Sequence, residues 1–453
     1  MSAAHGATRR GFLTRAAGLA AVAGSALTAD AGETAIAKPV DPVPAPAASP
    51  VEPFWGKNQG GILTPTQGHT YFVALDLTTA KRDDVIALLK AWTAASARLT
   101  AGKPIDNFDK TEIDYSYDTS SATTTVTTSD DPAPTAVSLS DSGEAEGLAP
   151  ARLTITFGFG PGLFEKDGKD RYGFAKSRPE ALIDLPHFVG DQLVPEHSDG
   201  DLSVQASADD PQVAFHAVRQ LVRLVEDVAQ VRWAQIGFMP NFGTDQTPRN
   251  LMGFKDGTNN PSTSDAAAMN KFVWVGDEGP DWMRDGSYLV VRRIRVALEH
   301  WDRSKLDFQE QTFGRHKASG APLGLKDERE PLDLAATDTN GNLVIAENAH
   351  VRLAAPATNG GAQILRRPYS YNDGVNFTAE RWPPWRQGIE YDAGLFFIAY
   401  QRDPRTGFVK IFENMAKFDM LNQFATHVGG GLFAVPGGAA EGEFIGQRLF
   451  QSA

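Results

Sequence analysis

The sequence predicts an α+β fold made of two ferredoxin-like (βαββαβ) domains with antiparallel sheets. Three observations carry this. Between residues 68 and 243 the chain runs strand, helix, strand, strand, helix, strand, the split-βαβ order. Between residues 244 and 453 parts of that pattern recur. Across the 453 residues, 42% are apolar and 22% charged, enough for packed cores in a chain long enough for two domains.

In the first half, residues 69–77 (HTYFVALDL) are rich in β-branched and aromatic side chains and read as a strand. Residues 83–95 place Val85, Leu88, Leu89 and Trp92 on one helical face. Residues 153–159 (LTITFGF) form the second strand and stop at Gly160-Pro161-Gly162. Residues 201–208 form a third strand, 211–227 a helix and 228–238 a fourth strand. In the second half, Gly286-Ser287-Tyr288-Leu289-Val290-Val291 echoes Gly68-His69-Thr70-Tyr71-Phe72-Val73. Residues 395–400, followed by Gln401-Arg402-Asp403-Pro404, echo residues 202–207, followed by Ala208-Asp209-Asp210-Pro211. Proline suits the first helical position and an Asp before it caps free amides, so a helix is expected directly after each Asp-Pro step. The halves join between about residues 243 and 285.

The flanks have other characters. Residues 1–37 read as a leader: Thr8-Arg9-Arg10-Gly11-Phe12-Leu13 is a twin-arginine pattern, residues 16–27 are weakly apolar, and Ala29-Asp30-Ala31 and Ala35-Ile36-Ala37 are cleavage candidates. The apolar run falls short of the ~20 residues that span a bilayer, and no later segment qualifies. The expected location is periplasmic or extracellular. Export by this route suits a protein that folds first, often around a prosthetic group. Residues 38–67 are a linker and N-terminal extension, Pro/Ala-rich up to residue 50. Residues 116–142 are rich in Ser, Thr, Asp and Pro and read as a surface insertion.

Composition excludes several function classes. The net charge of −13 argues against nucleic acid or an anionic membrane as partner. The cluster Arg292, Arg293 and Arg295 reads first as the solvent face of a strand. There are no cysteines, so disulfides, thiolate nucleophiles, Cys-bound zinc, iron–sulfur clusters and covalent c-type haem are excluded. A bound metal must rely on His or carboxylate ligands, and there are nine His.

Three segments stand out. Gly253-Phe254-Lys255-Asp256-Gly257-Thr258 lies at the junction. Alone it reads as an Asp-Gly turn, or as a place where glycines let backbone approach a flat ligand. His350, in Asn348-Ala349-His350-Val351-Arg352-Leu353, has small and apolar neighbours and reads as a buried core histidine or as a ligand. In Leu365-Arg366-Arg367-Pro368-Tyr369-Ser370-Tyr371 strand alternation sends the two arginines to opposite faces, so at most one is expected to point inward.

Together GFKDGT (253–258), AHVRLAAP (349–356) and LRRPYSY (365–371) resemble the signature of dye-decolorising peroxidases. The branch most resembled is the exported one linked to bacterial iron uptake, sometimes called deferrochelatases. The segments QGGI (59–62), DSGEA (141–145), GRHK (314–317) and DMLN (419–422) also resemble family segments, so the likeness extends over most of the mature chain. The resemblance implies paired ferredoxin-like domains with one non-covalent haem b in the second. It implies His350 as the iron ligand, Asp256 as the distal acid–base residue and Arg366 as the distal arginine. Gly257, Thr258 and Asn259 would line the haem, Arg315 would face its propionates, and Asp419 would hydrogen-bond the His350 ring. The implied activity is peroxidation, with hydrogen peroxide and a dye-like or phenolic small-molecule reductant as partners. The alternatives are release of iron from haem, with haem as substrate and iron-uptake components as partners, or non-catalytic haem or iron carriage. His427 is read as structural. Pro368 stands where Gly is common in this branch, and residues 116–142 are longer than expected, departures that bear on the substrate entrance.

Overall fold

The first half of the chain forms β1 (His69–Leu77), α1 (Arg82–Thr100), β2 (Thr154–Phe159), β3 (Leu202–Ala208), α2 (Pro211–Arg223) and β4 (Ala229–Phe238). The second contributes β5 (Ser287–Val296), α3 (Leu306–Phe313), α4 (His350–Ala354), β6 (Leu365–Arg366), β7 (Tyr369–Ala379), β8 (Gln387–Gln401), α5 (Phe408–Phe418) and β9 (Ala425–Val435). This computed structural model describes residues 50–106, 141–240, 246–379 and 387–452. The leader read at residues 1–37, the linker up to residue 49 and all but the last two residues of the 116–142 insertion lie outside the described residues. Helix α1 outlasts its expected end by five residues, because Ala95, Ser96, Leu99 and Thr100 continue the buried face. Helix α2 stops at Arg223, four residues early, and the chain turns into β4.

The strands pair antiparallel in the order β5-β9-β2-β3-β1-β4-β7-β8-β6, and β5 also pairs with β8. The sheet therefore closes on itself. Its first half has the order β2-β3-β1-β4, and the second repeats this as β7-β8-β5-β9. Between the named strands, single residue pairs join the halves, Phe159 with Ala434 and Phe238 with Ser370. The sequence suggested two separate sheets; the structure has one continuous sheet. Edge strands carry unpaired amides, and edge-to-edge closure supplies partners for some of them.

Strand alternation builds two cores. Phe72 and Ala74 of β1 point into the ring with Trp233, Leu289, Val291, Phe396 and Phe433. Val73, Leu75 and Leu77 point outward, where Val85, Leu88, Leu89 and Trp92 of α1 and Leu221 of α2 cover them. No described helix is long and apolar enough to cross a membrane.

Two sequence readings are corrected here. Arg292 and Arg293 are not on a solvent face: Arg292 is 1% exposed and Arg293 is buried. Arg292 pairs with buried Asp191 at 3.3 Å beneath the Phe188 and Phe408 rings. Arg293 points into the ring and donates to Gln235, Asp373 and Asp392. Charge could be buried there because each guanidinium found carboxylate and ring partners. The Asp-Pro echo also differs between copies. Asp210 caps α2, accepting from the Gln212 and Val213 amides. Asp403 accepts from the Arg405 amide within a turn, and α5 begins only at Phe408, after Gly407.

Candidate active site

All eight residues singled out from the sequence, Asp256, Gly257, Thr258, Asn259, Arg315, His350, Arg366 and Asp419, line one cavity of about 220 Å³. Its remaining wall is largely apolar, with Ile294 and Val296 of β5, Leu395 and Phe397 of β8, and Phe408 and Phe412 of α5.

His350 is the first residue of α4, and Asp419 is the cap residue directly after α5. The Met420 amide donates to the Asn348 carbonyl at 3.1 Å and ties the two loops together. His350 Nδ1 then donates to Asp419 Oδ2 at 2.7 Å, while Asp419 Oδ1 accepts from the Leu421 amide at 2.8 Å. With Nδ1 engaged, Nε2 is the ring nitrogen left for a ligand. The His350 side chain keeps 26% of its surface accessible, and it lines the cavity. Burial opposes charge on this ring, but the charge and hydrogen bond of Asp419 outweigh it, so the pKa is raised above the ordinary histidine value. Phe313 of α3 lies beside the imidazole, with centroids 5.7 Å apart, and stacks on Phe254 at 4.0 Å. That stack ties the GFKDGT segment to the His350 side.

Asp256 follows a tight turn. Asn250 accepts from the Met252 and Phe254 amides through its side chain, and the Asp256 amide donates to the Pro248 carbonyl at 2.9 Å. A second turn starts at Gly257, whose carbonyl accepts from the Asn260 amide at 3.0 Å. The two sequence readings of this segment are therefore compatible: the turn exists, and it leaves the Asp256 carboxylate directed at Arg366. Arg366 Nη1 donates to Asp256 Oδ1 at 2.8 Å. Gly257 has φ +113°, and among the described residues no atom beyond its own chain neighbours lies within 4 Å of where its Cβ would stand. The backbone there is open to the cavity, as close approach of a flat ligand needs.

Arg315 is buried, with Nη1 donating to the carbonyls of Gly320 (2.7 Å) and Glu328 (2.9 Å). Burial lowers its pKa, Glu328 opposes that, and Arg366 adds to it as a second nearby cation. Arg367 overturns the expectation that only one of the paired arginines points inward. It is 4% exposed and donates to the Thr64 carbonyl and Gln67 Oε1. Alternation does separate the two: Arg366 faces the cavity with 26% of its side chain accessible, while Arg367 is buried against residues 64–67.

Sequence reasoning missed three residues. Glu328 accepts from Lys255, Thr258 and Thr247 and so straddles Asp256; nothing in its own neighbourhood signals this. Asn260, two residues past the motif, bonds the Arg366 backbone. His427, read as structural, lies on the cavity wall. Its Nδ1 is buried without a hydrogen-bond partner among the described residues, and burial reinforced by Arg292 lowers its pKa to about 3. The alternation of β9, which puts 425 and 427 on one face, would have found it had that strand been recognised.

Comparison with known proteins supplies the family. Residues 59–239 match the family description "Dyp-type peroxidase, N-terminal", and residues 247–440 match "Dyp-type peroxidase, C-terminal". The chain belongs to the Dyp-type peroxidase family. It is thereby an enzyme of the haem peroxidase class. A dye-decolorizing peroxidase of Thermobifida fusca is 36% identical over 472 residues, covering 98% of both chains. A deferrochelatase of Escherichia coli K12 is 33% identical, covering 97% of this chain and 96% of that one. The structure of ferric DtpA from Streptomyces lividans superposes with a TM-score of 0.75 at 41% identity, covering 89% of this chain and 98% of that one. The Dyp-type fold, α+β with an N-terminal and a C-terminal part, is the one described above.

Proposed function

We propose that this protein is a haem-dependent peroxidase that reduces hydrogen peroxide and oxidises small organic reductants of dye-like or phenolic type. One haem b would be held non-covalently in the cavity. The observation that carries this reading is two hydrogen-bonded pairs on one cavity, His350–Asp419 and Asp256–Arg366. The donor set suits the group: an imidazole with one free ring nitrogen, a carboxylate behind it, an open backbone at Gly257 and apolar walls.

His350 would bind the iron through Nε2, and Asp419 would orient the ring and make it a stronger donor. When bound, haem supplies the redox-active iron at which peroxide is reduced. Asp256 is the base that takes a proton from one peroxide oxygen and returns it to the other. Arg366 is a fixed positive charge that favours charge separation in the O–O bond. Gly257, Thr258 and Asn259 would border the haem, and Arg315 would face its carboxylates. The fold reading that accompanies this is a duplicated ferredoxin-like unit spanning residues 68–243 and 244–453, and the location reading is export by the twin-arginine route to the periplasm or beyond the cell.

The test starts from purified protein and its Soret absorbance. His350→Ala should lose most of its haem, while Asp256→Asn and Arg366→Leu should keep it. A His350→Ala protein with normal absorbance and dye oxidation would overturn the assignment. The relatives named deferrochelatase supply the second reading, removal of iron from haem. Free porphyrin accumulating from the holoprotein without dye oxidation would favour it.

A further inference from the structure

We propose that Asn260 is the positioning residue for Arg366, its carboxamide standing where a neighbouring strand would otherwise lie along β6. This rests on the role given to Arg366 above. Strand β6 is two residues long and pairs with β8 through Leu365–Tyr400 and Arg366–Ala399. The next amide, that of Arg367, donates to the Ile398 carbonyl at 2.8 Å. In an antiparallel ladder the N–H and C=O of successive residues alternate sides, so those of Arg366 point away from β8. Among the described residues no strand takes them. Asn260 Nδ2 donates to the Arg366 carbonyl at 2.7 Å, and the Arg366 amide donates to Asn260 Oδ1 at 3.2 Å.

A side-chain amide is the group that offers a donor and an acceptor at this spacing; a carboxylate only accepts. Asn260 is itself fixed, because its amide closes the turn from Gly257, the residue after Asp256. Asp256 and Arg366, 110 residues apart, are therefore linked twice: by the ion pair at 2.8 Å and by this clamp on the Arg366 backbone. The ion pair alone leaves a long side chain to find its geometry. The clamp sets the point from which that side chain starts. Asn260 is not among the residues lining the cavity, so it acts through Arg366 and not on a ligand.

The experiment uses haem-loaded full-length protein carrying Asn260→Ala, Asn260→Asp, Arg366→Leu, and Asn260→Ala with Arg366→Leu. Two quantities are read: the rate of Soret change on stopped-flow mixing with peroxide, and the affinity of the ferric protein for fluoride, an equilibrium measurement without turnover. A well-placed cation beside the iron favours a bound anion, so both report where the guanidinium sits. Asn260→Ala should slow the peroxide reaction roughly tenfold and weaken fluoride binding to a similar degree. Asn260→Asp, which keeps the size but not the donor, should do the same and serves if the alanine variant fails to fold. In the Arg366→Leu background, Asn260→Ala should change neither quantity further, because the two act as one unit. Equal fold-losses in both backgrounds, or no loss beside intact Arg366, would overturn the clamp while leaving the peroxidase reading intact. If Arg366→Leu alone changed nothing, the role of Arg366 would fail and this proposal with it.

Discussion

His350 and His427 border the same cavity and are tuned in opposite directions. Burial disfavours charge on both; Asp419 reverses this for His350, while Arg292 deepens it for His427. A histidine held neutral at a folded pKa of about 3 has a definite linkage sign. Between its ordinary value and that point the unfolded chain takes up a proton that the folded protein refuses. Its contribution to stability is thus unaffected above pH 6.5 and falls with acidification below it, by up to about 1.4 kcal/mol per pH unit. His350, whose pKa is raised, contributes with the opposite sign, so a difference isolates His427: between pH 7 and pH 5 the urea midpoint of the unmodified protein should fall relative to that of His427→Gln. The same pH dependence in the variant would show that His427 is not its source. On the oxidation chemistry, Asp256→Asn and Arg366→Leu should each slow the reaction with peroxide by ~10²-fold or more. The double variant should lose less than the product of the two if, as proposed, both serve one proton-coupled step. Stopped-flow absorbance measures all three, and single variants reacting at the normal rate would sink the pair mechanism. Much of the polar lining of this cavity was legible because Asp256, His350 and Arg366 sit in recognisable runs. Glu328 was not: its three partners meet it only through tertiary contact. Arg292, Arg293 and Arg367 misled because a charged side chain read alone implies solvent, whereas their carboxylate and carbonyl partners come from distant segments.

At the scale of elements, period and punctuation located most strands and two helices within a few residues. The failures have local causes. Strand β9 (ATHVGGGLFAV) carries three consecutive glycines, which weaken a strand pattern. Helix α4 is five residues long, too short for a helical period to register. The Asp-Pro step was read as one signal but serves two structures. Asp210 accepts from two amides of the first turn of α2, so Asp210→Ala should cost about 1 kcal/mol, seen as a lower urea midpoint. Asp403 caps a turn before α5, not the helix, so Asp403→Ala should leave the helical ellipticity at the same fraction of the native signal. A larger loss of helix from Asp403→Ala than from Asp210→Ala would mean that the echo reflects a true cap after all.

At the scale of the molecule, the closed sheet makes the two halves share an interior. The duplication was legible as an order of elements; closure was not, because it depends on which edges meet, and each seam between the named strands is a single residue pair. Phe72 shows the consequence. It belongs to β1, in the first half, yet its ring lies 5.5 Å from Phe396 and 5.9 Å from Phe433, both in the second, as well as 4.9 Å from Trp233. Truncating a fully buried Phe to Ala typically costs about 3–5 kcal/mol, through lost transfer energy and the cavity left behind. Phe72 makes no contact with the candidate haem cavity, which second-half strands and helices and the GFKDGT segment build. Two independently stable halves would therefore separate the effects: Phe72→Ala would lower the ellipticity midpoint of one part and leave loss of haem absorbance where it was. A shared interior predicts otherwise. Urea unfolding of Phe72→Ala, followed by far-UV ellipticity and by Soret absorbance, should show both midpoints falling together by the same amount. An unchanged Soret midpoint beside a lowered ellipticity midpoint would show that the seams do not couple the halves, and that the second half holds its cavity without the first.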